Sequence, residues 1–467
     1  MFGRRHLFRD IGAGVGATVI LALAGVASTV FLARLLTVEQ FGKISLLLLA
    51  FNLTSTFDAV RPVTIYFANR LADQPRETFS SIFWLDAGIG GVLGIVLTCV
   101  AFIAPQELFQ RAELLCLAGV FVLFFLQSAY WGWADAHGFV ARTALVRALI
   151  MTLVYVAFVA LAAARIEGVG YALVLLVATG AMFGAFWWIC RASNLVTTVA
   201  RPDSVIMRAI GAEVGRSMQF NLATLVLATA DRIAISVNGG PRALGFYSGH
   251  FDLATKPMAL MRAVHSALTP HITRAAASKS DIFLTFGFGT KVAFGVVSIA
   301  AWGAMLLREW ITHMLLGSEY GTYQDVFAAV VLAQCFVLLG HASALLLNSV
   351  GDFRLQKTYY VFAAAVMLLL AFPVAYFTGV FGVAVVYLIV RTVDVWLLHA
   401  ALRTVGRKIL TSKVLAAATA WCGASLAAWL NEPVGCFTCG TIFVVMLWRW
   451  KLTHSFAQRS DCLAVAQ

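Results

Sequence analysis

Nine charged side chains sit where charge is most expensive. Asp58, Arg61, Asp231, Arg232, Asp252, Lys256, Arg262, Arg391 and Asp394 all fall inside long apolar runs. A charge at the centre of a membrane-spanning helix costs roughly 2.5–3.5 kcal/mol on insertion scales, so each needs a partner or a purpose. Two kinds of chemistry are open to them. Arginine presents a planar fork that fits phosphate oxygens, which suits the binding of an anion. A carboxylate in the same setting can take up and release a cation.

Spacing sorts the nine. Asp58 and Arg61 are three residues apart, as are Arg391 and Asp394, while Asp252 and Lys256 are four apart. Each pair therefore shares a helical face, and mutual neutralisation is one reading of it. Asp231 and Arg232 are adjacent, about 100° apart around a helix, so one or both must meet another helix or a watery interior. Arg262 has no acid three or four positions away, and its same-face neighbour is His265. Arg61, Arg262, Lys256 and Arg232 are thus candidate anion-binding residues. Asp58, Asp252, Asp231 and Asp394 are candidates for coupling to a cation. Asn52, Asn221, Gln219 and Asn348 are neutral polar candidates for contact with a substrate.

The elements that must position these groups are fourteen apolar stretches, from Ile11–Leu36 to Val434–Trp450, which fill the chain almost end to end. Hydrophobic residues make up 61% of the 467. About 20 apolar residues cross a bilayer as a helix. Lipid offers the backbone no hydrogen-bond partner, so such segments must be helical. The expected fold is an all-α integral membrane protein with about 14 transmembrane helices. The net charge of +12 does not point to nucleic acid, because the basic residues sit on alternate joints. With the N-terminus in the cytoplasm, 23 of the 34 Lys and Arg lie on cytoplasmic joints, six on the other face and five within spans. That is the positive-inside pattern, and it places both termini in the cytoplasm. The first stretch is too long for the apolar part of a secretion signal, so it is expected to stay as a span.

An internal repeat organises the stretches. At an offset of 203 residues, Gly42 and Ser45 fall on Gly245 and Ser248; at 212, Gly170 and Ala172 fall on Gly382 and Ala384. Six spans per unit is an even number, so both units enter from the same side. This predicts two six-helix bundles in parallel pseudo-repeat, with a cavity between them, plus two additional C-terminal helices. The units are residues 1–190, a cytoplasmic linker 191–213, residues 214–402, and residues 403–467 with the two extra helices and a cytoplasmic tail. Arg61 corresponds to Val264, two positions from Arg262, so each half sends one arginine to a similar depth. Two such forks suit a diphosphate or another strongly anionic headgroup; the alternative is that both are structural partners of intramembrane acids. Pro62, Pro257 and Pro373 are expected to bend their helices.

Other motifs carry less. Gly12-x-x-x-Gly16 and Gly90-x-x-x-Gly94 read as close-packing helix faces. The run Gly88 to Gly94 has no strand before it and does not match a dinucleotide fingerprint. Cys436-Phe-Thr-Cys439 opens the last span without a second pair or histidines, which leaves packing or a disulfide as its reading. No catalytic residue, metal or cofactor is expected.

The stretch Asp231-Arg-Ile-Ala-Ile-Ser-Val-Asn-Gly-Gly-Pro-Arg-Ala-Leu-Gly-Phe-Tyr-Ser248 resembles the seventh-to-eighth helix region of the polysaccharide (Wzx-type) flippases. These belong to the multidrug/oligosaccharidyl-lipid/polysaccharide exporter superfamily. Ala33-Arg-Leu-Leu-Thr-Val-Glu-Gln-Phe-Gly42 and Leu268-Thr-Pro-His-Ile-Thr-Arg274 are similar to other patches of that family. The resemblance implies a V-shaped pair of bundles around a cationic cavity. It also implies a flippase that moves a lipid-diphosphate-linked oligosaccharide to the outer leaflet of a bacterial inner membrane for surface polysaccharide synthesis. Related lipid II flippases have cavity arginines in the second and eighth helices, which Arg61 and Arg262 would match. They also have basic residues well inside the first helix, whereas here Arg34 comes at its end, which favours an undecaprenyl-diphosphate-linked glycan over lipid II. Expected partners are that glycan, the bilayer, and glycosyltransferases or a polymerase of the same pathway. Two alternatives stand beside this reading. A cation-coupled drug or metabolite antiporter of the same superfamily would use an acid-centred site. A membrane glycan polymerase or ligase generally needs a large outer loop, and the longest here, Arg308–Tyr323, is about 16 residues.

Overall fold

The structure is a computed structural model, and it describes residues 4–57, 64, 67–68, 71, 73–103, 110–166, 168–195, 198–255, 282–350, 353–404 and 412–449. All regular elements among these residues are helical. They are α1 (Arg4–Leu35), α2 (Val38–Phe57), α3 (Pro75–Ile103), α4 (Arg111–Ala136), α5 (Val140–Ala163), α6 (Gly168–Ala192) and α7 (Ser204–Thr255). There follow α8 (Ile282–Leu306), α9 (Arg308–Ile311), α10 (Gln324–Val350), α11 (Phe353–Arg391), α12 (Val393–Thr404), α13 (Ser412–Trp429) and α14 (Pro433–Arg449). Among the described residues eight helices are long and apolar enough to cross a membrane, or nine if α8 and α9, bent by 77° at their junction, form one span.

Two of these helices each account for a pair of spans. In α7 the Tyr247 hydroxyl lies 2.6 Å from Asp231, although 16 residues separate them. A straight helix would hold those residues about 24 Å apart, so the chain doubles back. The reversal falls at Gly240, whose φ of 71° is left-handed backbone that favours glycine. In α11 the same turn is made by Gly379 at φ 68°, and it brings Tyr360 and Arg391 onto one small cavity. Asn-Gly-Gly-Pro and Thr-Gly are therefore hairpin tips. The stretch expected as one span, Val380–Leu402, is broken at Thr392, where the helix ends and restarts as α12. Pro373 lies within continuous helix, and Pro62 and Pro257 lie outside the described residues.

The buried apolar residues form two main cores. One runs through α1–α6, with Phe79, Phe158, Tyr171 and Phe186 among its fully buried side chains, and the other through α7–α14. Phe125 heads a small aromatic satellite with Phe121 and Phe124. α13 is joined to α8 by reciprocal bonds. Trp302 donates to Ser425 (3.1 Å) and Trp421 donates to Ser298 (2.9 Å). Such side-chain bonds between helices hold where no hydrophobic force can act between them.

The linker expected over 191–213 is partly helix. Asp203 accepts from the backbone N–H of Val205 and Ile206, a capping contact that starts α7 at Ser204. Ile206, Ile210 and Val214, at helical spacing, then pack into the first core rather than leaving the helix free. The segment before them is pinned to α3: Ser80 accepts from Ala200 N–H, Ser81 accepts from Asp203 N–H, and Trp84 donates to the Ala200 carbonyl. At the opposite end, Arg34 donates to the carbonyls of Met314 and Leu315, and Arg308 donates to the Ala428 carbonyl. Each of these contacts links segments expected on the same face of the membrane.

Candidate functional site

The hairpin of α7 gathers three of the nine intramembrane charges, Asp231, Arg232 and Asp252. Asp231 is completely buried. It accepts from the Tyr247 hydroxyl at 2.6 Å and from the backbone N–H of Arg232 at 2.8 Å. The side chain of Arg232 points away from it, to Asp252 on the returning limb at 3.5 Å, with the guanidinium over the Phe251 ring at 4.2 Å. Adjacent residues of opposite sign are thus served by different partners, as their angle around the helix requires. Asp252 meets Arg232; Lys256, four residues on, lies outside the described residues. The Asp252 side chain keeps 19% exposure, and it is within electrostatic reach of Tyr155 on α5, in the other half of the molecule.

A second charged group adjoins the first. Arg391 sits 3.8 Å from Asp394 across the helix break at Thr392, with its guanidinium over the Tyr387 ring at 5.0 Å. Gln334 of α10 donates to the Tyr387 hydroxyl at 3.3 Å, and the Phe251 and Tyr387 rings stand edge to face at 5.4 Å. Aromatic side chains therefore connect the two ion pairs. Asp394 seats on Gly340 of α10, where a Cβ would lie 2.6 Å from its carboxyl carbon. Both arginines keep a buried Nε–H without an acceptor among the described residues. Chemically this is a set of fixed charges, of which the partly exposed Asp252 can take a cation.

The remaining candidates are spread out. Arg61, Arg262 and Asp58 lie outside the described residues, as does His265. Asn52 is exposed on α2, and Asn221 is half-buried on α7, about 15 Å along the helix from Asp231. The Gln219 and Asn348 side chains are not among those described. Both thiols of Cys436 and Cys439 are free, the first buried against the second core.

Sequence reasoning missed several partners. Tyr247, Tyr387 and Gln334 look like packing residues in apolar runs, and nothing local marks them as polar contacts. Asp86, fully buried in α3, was findable by the test that singled out Arg262, since no base lies three or four positions away. Arg147 counts with a cytoplasmic joint in the sequence, but it lies within α5, with its guanidinium over the Trp131 ring at 4.9 Å.

A family profile described as "Polysaccharide biosynthesis protein" matches residues 31–325. No curated protein matches the chain by sequence. Among solved structures it is similar to the lipid II flippase MurJ in an inward closed conformation, at TM-score 0.74 and 11% identity, covering 93% of this chain and 98% of that one. It is also similar to an inward-facing multidrug resistance MATE transporter of the MOP superfamily (TM-score 0.67, 13% identity, 85% and 98% covered). A MOP-superfamily transporter from Pyrococcus furiosus gives a TM-score of 0.63 at 13% identity, with 86% and 95% covered. The fold is that of these transporters.

Proposed function

Since the chain belongs to the polysaccharide biosynthesis family, we propose that it is a flippase moving a lipid-diphosphate-linked glycan precursor across a bacterial inner membrane, from the cytoplasmic to the outer leaflet. Family membership carries this reading, and a transporter fold shared over nearly the whole chain supports it. The intramembrane charge is the physical ground for an anionic substrate. Arg61, Arg262 and Lys256 are assigned to the cavity, with Asn52 and Asn221 as neutral contacts to sugar. Arg232, held by Asp252 and Phe251, offers its remaining N–H. No enzymatic step is required of any of them. The positive-inside count puts both termini in the cytoplasm, so the joints at 36–42, 238–245 and 308–323 face outward.

A second reading, cation-coupled exchange of a drug or metabolite, is favoured by one observation: Asp252 is an acid with partial exposure beside the other half of the molecule. Within the flippase reading the same acid, with Asp58, Asp231 and Asp394, is assigned to coupling.

The deciding experiment is deletion followed by lipid analysis. A lipid-diphosphate oligosaccharide accumulating on the cytoplasmic leaflet, with loss of surface glycan, is expected. Unchanged lipids and unchanged surface glycan would overturn the proposal. Within the complemented strain, Arg61→Ala and Arg262→Ala should each lower transport at normal abundance. Each removes bonds to a charged group worth roughly 1.5–3 kcal/mol, or one to two decades in affinity. Lysine at either position should restore part of it, since charge is kept and the fork is lost.

A further inference from the structure

Where α2 crosses α7 the two halves meet backbone to backbone, and the contact is the same contact twice. A Cβ added at Gly42 of α2 would lie 2.8 Å from the carbonyl carbon of Pro241 and 2.9 Å from the amide nitrogen of Gly245. A Cβ added at Gly245 of α7 would lie 2.9 Å from the carbonyl carbon of Val38. Real side chains do not tolerate such distances to backbone, so only glycine fits at either position. Under the 203-residue offset Val38 exchanges with Pro241, and Gly42 with Gly245. The first contact is thereby carried onto the second, as a two-fold axis between the halves requires.

The surroundings seal this crossing. Val38, Phe41 and Ser45 on one side and Leu244 and Ser248 on the other are all buried. Tyr320 roofs it, edge-on to Phe41 (6.4 Å) and to Phe246 (5.5 Å). Arg34 spans the same end from the first half to the carbonyls of Met314 and Leu315 in the second. No ion pair locks the crossing among the described residues. Flat glycine faces can approach closely, as small residues do between membrane helices.

We propose that Gly42 and Gly245 form a pseudo-symmetric latch that closes the outward end of the molecule in the state seen here, and that the latch parts when the cavity opens outward. The direction rests on the transport reading and its orientation; the contact itself does not.

A labelling experiment separates the two. In a cysteine-free background, Ser45→Cys places a thiol directly beneath the crossing, where the native side chain is buried. Purified protein in lipid nanodiscs exposes both faces to a hydrophilic maleimide. Gly42→Ala and Gly245→Ala should each raise the labelling rate roughly fivefold or more. The double variant should gain little over the larger single, because both changes break one contact. Gly303→Ala and Gly211→Ala, where an added Cβ meets nothing within 4 Å, should leave the rate unchanged. Arg34→Ala, an exposed change that folding tolerates, should raise labelling in the same direction and carries the test if the glycine variants do not fold. Rates within twofold of the parent in the folded variants would overturn the latch, whatever the lipid analysis gives. Faster labelling together with unchanged lipids on deletion would leave the latch and overturn the transport reading.

Discussion

Tyr247→Phe removes one oxygen from the most deeply buried acid in the charge cluster, and its cost reports the state of that acid. The 2.6 Å separation between Tyr247 Oη and Asp231 Oδ2 falls in the range of charge-assisted O–H···O⁻ bonds. Asp231 is 0% exposed, so water cannot replace the lost donor. A hydrogen bond to an ionised group contributes about 1.5–3 kcal/mol. Neutral side-chain bonds between membrane helices average only about 0.6 kcal/mol, with a ceiling near 1.7. The two cases are separable by a double-mutant cycle over Tyr247→Phe and Asp231→Asn, measured by equilibrium unfolding in mixed detergent micelles. The expected coupling energy is about 2 kcal/mol. Tyr247→Phe should also cost less in the Asp231→Asn background than in the parent. A coupling below about 0.5 kcal/mol would refute the reasoning: Asp231 would then hold no charge that the tyrosine serves.

Gly340→Ala should destabilise by about 1–3 kcal/mol, because the new methyl overlaps the Asp394 side chain; Gly303→Ala, facing open space, should be neutral or stabilising by up to about 1 kcal/mol, and thermal unfolding of the pair checks the sign. Ser298→Ala and Ser425→Ala should each cost about 0.6 kcal/mol by removing the acceptors of Trp421 and Trp302, and limited proteolysis should show α13 and α14 loosening before the rest. Arg232→Ala and Asp252→Asn should each lower abundance by breaking the bridge between them, and the double variant should lose less than the sum of the two; quantitative immunoblots of membrane fractions read all three.

Much of this architecture is legible in the chain because the bilayer leaves few options. Apolar length marks the spans, whereas the placing of the reversal at Gly240 shows only in the folded hairpin. The match of Gly42 with Gly245 was visible as a repeat, but not as a contact. Nothing in one dimension says that repeated segments meet across a two-fold axis. Helical spacing offers Asp252 the partner Lys256, which lies outside the described residues; the folded hairpin adds Arg232 from the other limb, a partner that spacing along one helix does not reveal. Spacing did succeed for Arg391 and Asp394, which meet despite the break between them. Tyr247 and Tyr387 could not be told from packing residues, because a hydroxyl changes hydropathy little and its partner lies on another limb or helix. The early start of α7 was hidden because its first turns are polar on one face and bury only Ile206 and Ile210.

The repeat makes a further comparison possible inside the chain itself. At the 203-residue offset, Asp231, Arg232, Tyr247 and Asp252 correspond to Ser28, Thr29, Ile44 and Leu49. Thr29 returns its hydroxyl to the Gly25 carbonyl of its own helix (3.0 Å), and Ser28 and Ile44 are buried. The equivalent positions of the first half therefore need no charged partner, whereas those of the second half hold an ion pair and a buried acid. The glycine crossing, by contrast, is present in both halves. At these matched positions the glycine contact is kept in both halves, while the charges occur in the second alone. Protonation or cation uptake at Asp252 would weaken its bridge to Arg232, and the structure offers no matching event at Leu49. Any motion driven from these carboxylates must begin in the α7 hairpin, which carries Asp252 and Gly245 on the same returning limb, seven residues apart. That limb is about 10 Å of helix between the charge and the crossing, short enough for one to move the other.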